Sequence, residues 1–328
     1  MPAQAKIDKA SRRKKIKREK KRELTPGIIL GRFLLITLLA LMLGAVYKLF
    51  SSWQGRLWIP NTRFTVIVAK DNPTIYSYNP RSGELLVIPV PENTEVEASG
   101  EYGSFLAGNL WELGARKKAG GGILSASLMK SLGFPIDAWV GPDGEDLFQN
   151  KSLFWPALAL KAAFLGQLET NLTFFDRFQI LLAVGGTPGV GRRAIDLEGI
   201  GIIKKTFLAD GVEGFTVLPE RAKVVFEAFR DETVLEEGHT LIVVNTSGKR
   251  GLAGGVVQVV TALGVRVVGT AQRDEKVDGC VVKKRPNIKE SVSTKRIAGI
   301  FGCNQEVGDF SGASDIELLL GDSFAGRF

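Results

Sequence analysis

Residues 27–47, GIILGRFLLITLLALMLGAVY, carry a single charge, and no other stretch limits the fold of this chain so severely. At 1.5 Å rise per residue, about 20 residues match a hydrocarbon core ~30 Å thick. Arg32 lies near one end, where its long stem can carry the guanidinium to the headgroups. The stretch predicts a membrane-spanning helix over 27–50. The alternative is a cleavable signal peptide, which has a shorter apolar core and a small-x-small cleavage site. Leu43-Gly44-Ala45 is a poor version of that site, and aromatic residues follow it. A core helix of a soluble protein is seldom apolar all round for this length beside a charged tail.

Charge then sets the orientation. Residues 1–22 hold eleven of the 43 Lys and Arg, against only Asp8 and Glu19. Basic residues flanking a span stay on the cytoplasmic side, so the tail, 1–26, is expected inside and everything after Trp53 outside. Removing residues 1–22 leaves 32 basic and 33 acidic residues, a near-neutral folded part. The basic cluster RRKKIKREKKR is therefore expected on anionic lipid rather than on a polynucleotide. With no helix-turn-helix or zinc pattern, nucleic acid is excluded as a partner. Trp53 and Trp58, in a linker over 51–62, read as an interfacial belt.

The remaining length accommodates two domains, expected over 63–235 and 238–328. The first opens with a meander, FTVIVA, TIYSYN and ELLVIPV, separated by Asn-Pro and Pro-Arg-Ser-Gly turns. Helices are predicted over 104–116 and 122–132, with a short strand in IDAWVG. An apolar segment runs over 156–164. Thr173 then opens a helix as N-cap with Asp176 three residues on, and Phe174, Phe178, Leu181 and Leu182 share one face. The last ninety residues read β-α-β-β-α-β: LIVVNTSG, GLAGGVVQVVTALG, VRVVGTAQ, CVVKK, a helix around 291–301 and DIELLLG. This is an α/β chain of α+β layers, its last part a two-layer sandwich with two helices on one face.

Both cysteines fall in that last part. A strand from Cys280 followed by a helix returning toward Cys303 brings the two together, which predicts a disulfide in an oxidising compartment. Two buried, unpaired thiols are the alternative.

Few residues suggest chemistry by pattern alone. GGTPGVGRRA, at 185–194, has Arg192 and Arg193 where a phosphate loop has Lys and Ser or Thr, and it follows a helix; a turn is the default. His239 is the only histidine, which removes triad schemes. Glu92, Glu95 and Glu97 alternate along a strand and suit a solvated face better than a metal site.

Two stretches carry a resemblance. IPVPENTEV, YGSFLAGNLWELG and GGGILSASLMKSLGFPIDAWVG resemble the core of the LytR-CpsA-Psr family, in which a strand ends in Pro-Arg-Asp-Thr-x-Val and the motif closes in Leu-Gly-Ile-Pro-Ile-Asp-x-x-Val. VVNTSGKRGLAGGVVQVVTALGVRVVG, with ASDIELLLGDSF at its end, is similar to the LytR C-terminal domain. The resemblance implies an LCP-like sheet-and-helix domain, one N-terminal span, and work on the outer side of the membrane. It also implies transfer of glycopolymers from polyprenyl pyrophosphate carriers to peptidoglycan, with Mg²⁺ and arginines around the pyrophosphate. Such phosphoryl transfer needs guanidinium forks and a divalent cation against the spreading charge.

This chain departs from that pattern where chemistry is concentrated. The family's Arg and Asp are Glu92 and Asn93 in PENTEV, the Asp expected before Thr65 is Phe64, and residues 140–170 contain no Arg. A carboxylate where phosphates should sit is repulsive. The expectation is thus a non-catalytic binding or scaffold protein of the cell envelope, without a cofactor. Its partners would be the bilayer and a wall polymer, a polyprenyl-phosphate lipid or another envelope protein. The alternative is an active Mg²⁺-dependent transferase in which Arg81, Arg116, Lys117, Lys118, Arg192 or Arg193 meets the phosphates. Leu124, Leu128, Phe174 and Phe178 are candidates for an apolar groove holding a polyprenyl chain.

Overall fold

The computed structural model describes residues 26–148, 168–185, 191–209 and 211–328, in two compact units. The basic tail, the apolar segment at 156–164 and the centre of the 185–194 loop lie outside the described residues.

The first unit contains one helix, α1 (Pro26–Gln54), with Pro at its first position, where no intrahelical N–H bond is lost. Its window from Gly31 has a mean hydropathy of 2.2 and is 0% buried, so it is long and apolar enough to cross a membrane. It runs four residues beyond the expected end of the span.

The second unit, Arg56–Phe328, is built on three mixed sheets. The first joins β1 (Phe64–Val68), β2 (Thr74–Asn79), β3 (Glu84–Pro89), β6 (Ala138–Val140) and β7 (Gly191–Ala194) in the order β6-β1-β2-β3-β7. The predicted meander supplies its antiparallel centre, with Val66 opposite Tyr76 and Tyr76 opposite Val87. Both faces of β1 and β2 are covered, so their period-two alternation feeds two cores. Ile67, Ile75, Leu86 and Ile88 enter one; Phe64, Val66, Val68, Tyr76 and Tyr78 enter the other.

The second sheet, β5-β4-β9-β8, comprises β4 (Thr94–Ala98), β5 (Gly103–Leu106), β8 (Ile203–Phe207) and β9 (Glu213–Val217). It corrects the helix expected over 104–116. Gly100, Glu101 and Gly103 all have positive φ and reverse the chain, so 103–106 pair with β4; helix α2 (Leu110–Arg116) begins only afterwards. Sheet hydrogen bonds here override helix propensity. Helix α3 (Gly122–Leu132) has the predicted bounds and ends on Gly133 at φ 71°.

Helix α4 (Phe174–Ile180) carries the predicted cap as a full capping box, Thr173 and Asp176 bonding each other's backbone N–H. Asp176 also accepts from the N–H groups of Leu57 and Trp58, at 3.1 and 2.9 Å. Trp58 is not a belt residue. It is 2% exposed, stacks on Phe64 at 5.2 Å and donates to the Thr62 carbonyl at 2.9 Å. A Trp whose indole N–H finds a partner is as much at home in a core as at an interface.

The third sheet, β11-β10-β14-β12-β13, comprises β10 (Thr240–Asn245), β11 (Arg266–Gln272), β12 (Cys280–Lys284), β13 (Asn304–Val307) and β14 (Ile316–Leu320). The β-α-β-β-α-β reading holds, with β13 and a last helix, α9 (Asp322–Arg327), added to it. Between α4 and this sheet lie two short helices, α5 (Phe226–Phe229) and α6 (Glu232–Glu237). Helices α7 (Leu252–Leu263) and α8 (Val292–Phe301) pack on one face, in the same core as Ile67 and Leu124. Cys280 and Cys303 form the predicted disulfide, their Cα atoms 4.7 Å apart.

Candidate functional site

A cleft of about 650 Å³ opens between the β2–β3 turn, β7 and the helical segment before β10. The turn contributes Asn79, Ser82 and Glu84, β7 contributes Arg193, and the helices contribute Glu227, Arg230 and Glu232. Of the arginines proposed from sequence, Arg193 lines it, and Arg81, in the β2–β3 turn, pairs with Glu232 of its wall. Each faces a carboxylate. Arg193 Nε lies 3.2 Å from Glu84, and Arg230 lies 3.2 Å from Glu227. Arg81 forks onto Glu236, with Nη2 to Oε2 at 2.6 Å, and reaches Glu232 at 3.5 Å. The hydrogen bond from Arg81 holds the Glu236 carboxyl below its ordinary pKa.

Beneath the cleft lies a buried network that the sequence did not announce. Arg63 on the cleft floor donates from its N–H to Asp231 at 3.0 Å, from Nε to the Arg230 carbonyl at 3.2 Å and from Nη1 to Ser77 at 3.3 Å. Burial lowers its pKa to about 10, against the pull of Glu84 and Asp231. Asp231 caps α6 and also lies 3.5 Å from Arg296 Nε on α8. Arg296 bonds Asp137 as well, and Asp137 accepts the Thr65 N–H at 2.8 Å. Burial raises the Asp137 pKa despite both bonds. The side chains of Arg296, Asp137 and Asp231 are 2%, 5% and 1% exposed. Asp137 stands inside the FPIDAWV motif and Asp231 at a helix start; Arg63 and Arg296 carry no local signal.

The other sequence candidates lie elsewhere. Arg192, next to Arg193 on β7, faces the opposite side and donates to the Phe148 carbonyl. Arg116 is an exposed partner of Glu112 one turn away, at 2.9 Å. Lys117 lies over the Tyr102 ring at 4.8 Å. Glu92 and Asn93 hold backbone together: the Glu92 N–H donates to Asn72 and its carbonyl accepts from Gly108, while Asn93 bridges to the Glu213 carbonyl at 3.0 Å. Glu97 pairs with Lys130 at 2.7 Å, and His239 lies near Asp315. The described residues present no group of three His, Cys, Asp or Glu able to hold Mg²⁺.

The proposed lipid groove is corrected by the two-core architecture. Leu124 and Leu128 are 0% exposed in one core, whereas Phe174 and Phe178 pack against the other. No common wall joins them.

Residues 239–324 match a family model described as LytR cell envelope-related transcriptional attenuator. No curated protein matches the sequence. Among solved structures, the chain is similar to TagV of B. subtilis, at 11% identity and a TM-score of 0.39, covering 52% of this chain and 96% of that one. It is also similar to the LytR-CPS2A-psr family protein YwtF (TagT) with bound octaprenyl pyrophosphate lipid, at 11% identity and a TM-score of 0.35, covering 51% and 89%.

Proposed function

We propose that this chain is a membrane-anchored protein of the cell envelope that binds or scaffolds other components and does not transfer phosphoryl groups. In this reading α1 is retained as a single span, the basic tail rests on the cytoplasmic leaflet, and the domains over 63–235 and 238–328 face outward. The match of residues 239–324 supports the envelope assignment.

One observation carries the non-catalytic reading. In and beside the cleft where arginines do gather, Arg81, Arg193 and Arg230 each face a glutamate within 3.5 Å, and Arg63 on its floor lies in the field of Glu84, Asp231 and Glu232. Phosphate oxygens would have to displace those carboxylates or sit beside them, and close like charges in a partly desolvated cleft cost several kcal/mol at an effective dielectric of about 20. At the positions of the resembled motif, the Asn93 side chain ties the β3–β4 turn to the Glu213 carbonyl on β9, and the Glu92 backbone is bonded to Asn72 and Gly108. Partners consistent with this reading are wall polymer, a polyprenyl-phosphate lipid or another envelope protein.

Full-length protein in nanodiscs, offered a polyprenyl-pyrophosphate glycan, peptidoglycan acceptor and Mg²⁺, is expected to give no transfer. Turnover that disappears in Arg193→Ala or Arg116→Ala would overturn the reading. Protease added to intact cells is expected to cut the folded part; complete protection would contradict the outward orientation.

A further inference from the structure

A second cavity, of about 480 Å³, lies between α3 and the C-terminal helices. One wall is Ile123, Met129 and Trp139; the other is Ile300 with the ring cluster Phe301, Phe324 and Phe328. The rings are fixed by each other, Phe324 stacking on Phe328 at 5.3 Å with Phe301 edge-on at 5.9 and 5.7 Å. Trp139 is fixed as well. A Cβ would come within 2.8 Å of its ring at Gly120 and 2.6 Å at Gly121, so these two glycines let the indole lie against the backbone.

The charges around this cavity are not balanced. Lys117 and Arg327 line it, and among the described residues neither has a carboxylate within salt-bridge distance. Arg327 donates to the carbonyls of Phe301 and Gly302, both at 3.0 Å, which fixes its guanidinium without neutralising it. Burial alone lowers its pKa, whereas the hydrogen bond to Glu236 raises that of Arg81. The one carboxylate side chain lining the cavity is Asp137, already engaged by Arg296 and the Thr65 N–H. A preformed aromatic cavity with two un-neutralised cations suits a ligand with an apolar body and an acidic head.

We infer that this cavity binds an anionic amphiphile, an apolar chain or ring between Trp139 and the Phe301–Phe324–Phe328 cluster with a carboxylate or phosphate monoester met by Lys117 and Arg327. The site is separate from the ionic cleft and does not depend on whether that cleft is catalytic. Its walls come from both halves of the folded unit, so the ligand also holds the two together.

Trp139 supplies the readout. Full-length protein in phosphatidylcholine nanodiscs is titrated with ω-bromoundecanoate, ω-bromoundecyl phosphate and uncharged ω-bromoundecanol, whose bromine quenches indole fluorescence on contact. Saturable quenching by either acid is expected, about tenfold tighter than by the alcohol, the scale of one charge-assisted contact. Which acid binds more tightly distinguishes a fatty-acid source from a phosphate one. Lys117 is exposed, so Lys117→Glu should leave thermal melting unchanged while weakening both acids about tenfold and the alcohol not at all. Ala126→Phe, which fills the cavity from α3, should abolish saturable quenching. Quenching that is linear in probe and equal in all variants reports partition into the bilayer and overturns the proposal. So does equal binding of acid and alcohol with no response to Lys117→Glu.

Discussion

The ionic cleft and the aromatic cavity both present basic side chains to a concave surface, and they differ in what stands opposite. In and beside the cleft, Glu84, Glu227, Glu232 and Glu236 answer Arg193, Arg230 and Arg81. In the cavity, backbone carbonyls and aromatic faces answer Arg327 and Lys117, which orients the cations and leaves their charge available. A count of arginines therefore says little about phosphate binding until their partners are known. Of the arginines singled out from sequence, Arg81, Arg116 and Arg193 face glutamates, and Arg192 bonds the Phe148 carbonyl.

The two regions share one keystone, and its removal is the largest expected effect. Arg296 ties Asp137, on the cavity wall, to Asp231, which holds the backbone of Arg63 on the cleft floor. Arg296→Met strands two buried carboxylates and should cost about 3–5 kcal/mol in denaturant unfolding. Adding Asp137→Asn should recover part of it. A loss under about 1 kcal/mol would show that the network is not buried in solution.

Next comes the disulfide, which closes a loop of sequence separation 23 beside the cavity. Cys280→Ser with Cys303→Ser should lower stability by about 3 kcal/mol, because the unfolded chain regains loop freedom. Stability unchanged between reduced and oxidised protein would contradict this.

A smaller effect has a defined pH sense. Glu237 accepts from Ser291, Val292 and Ser293 at the start of α8. Burial works against its charge but those bonds win, and its pKa lies below the ordinary carboxylate value. A depressed pKa gives stability that is complete above the unfolded-state value and lost as pH falls through the folded one. Glu237→Gln should therefore cost about 1 kcal/mol at neutral pH, solvent screening included, and flatten the acid limb of the stability curve. Asp137, raised by burial, contributes in the opposite sense.

The smallest stability change should bring the clearest change of function. Glu84→Gln with Glu232→Gln removes partly exposed partners and should shift stability by less than about 1 kcal/mol. It should also create inorganic pyrophosphate binding in the cleft, measurable by calorimetry. No gain would mean that the carboxylates are not what excludes phosphate.

Local signals in the sequence were reliable where a single element satisfied them. The capping box at Thr173 and Asp176, the bounds of α3 and the meander all follow from short-range patterns. The helix expected over 104–116 failed at its start because a positive-φ turn folds 103–106 back onto β4, a pairing that side-chain periodicity does not encode. Trp58 and the Leu124–Phe178 groove were misplaced for a related reason. Alternation along β1 and β2 marks strands but not that both faces are covered, and so not which core each apolar residue joins. The site was least legible. Arg63, Asp137, Asp231 and Arg296 meet across up to 233 positions of sequence, and nothing local brings them together.

Calorimetric titration of the full-length protein in nanodiscs with magnesium pyrophosphate tests most directly whether neutralised arginines have closed the cleft to phosphoryl chemistry. No saturable heat is expected from the unaltered chain. Saturable binding that vanishes in Arg193→Ala would show the cleft still holding a diphosphate and would return the protein to the transferases.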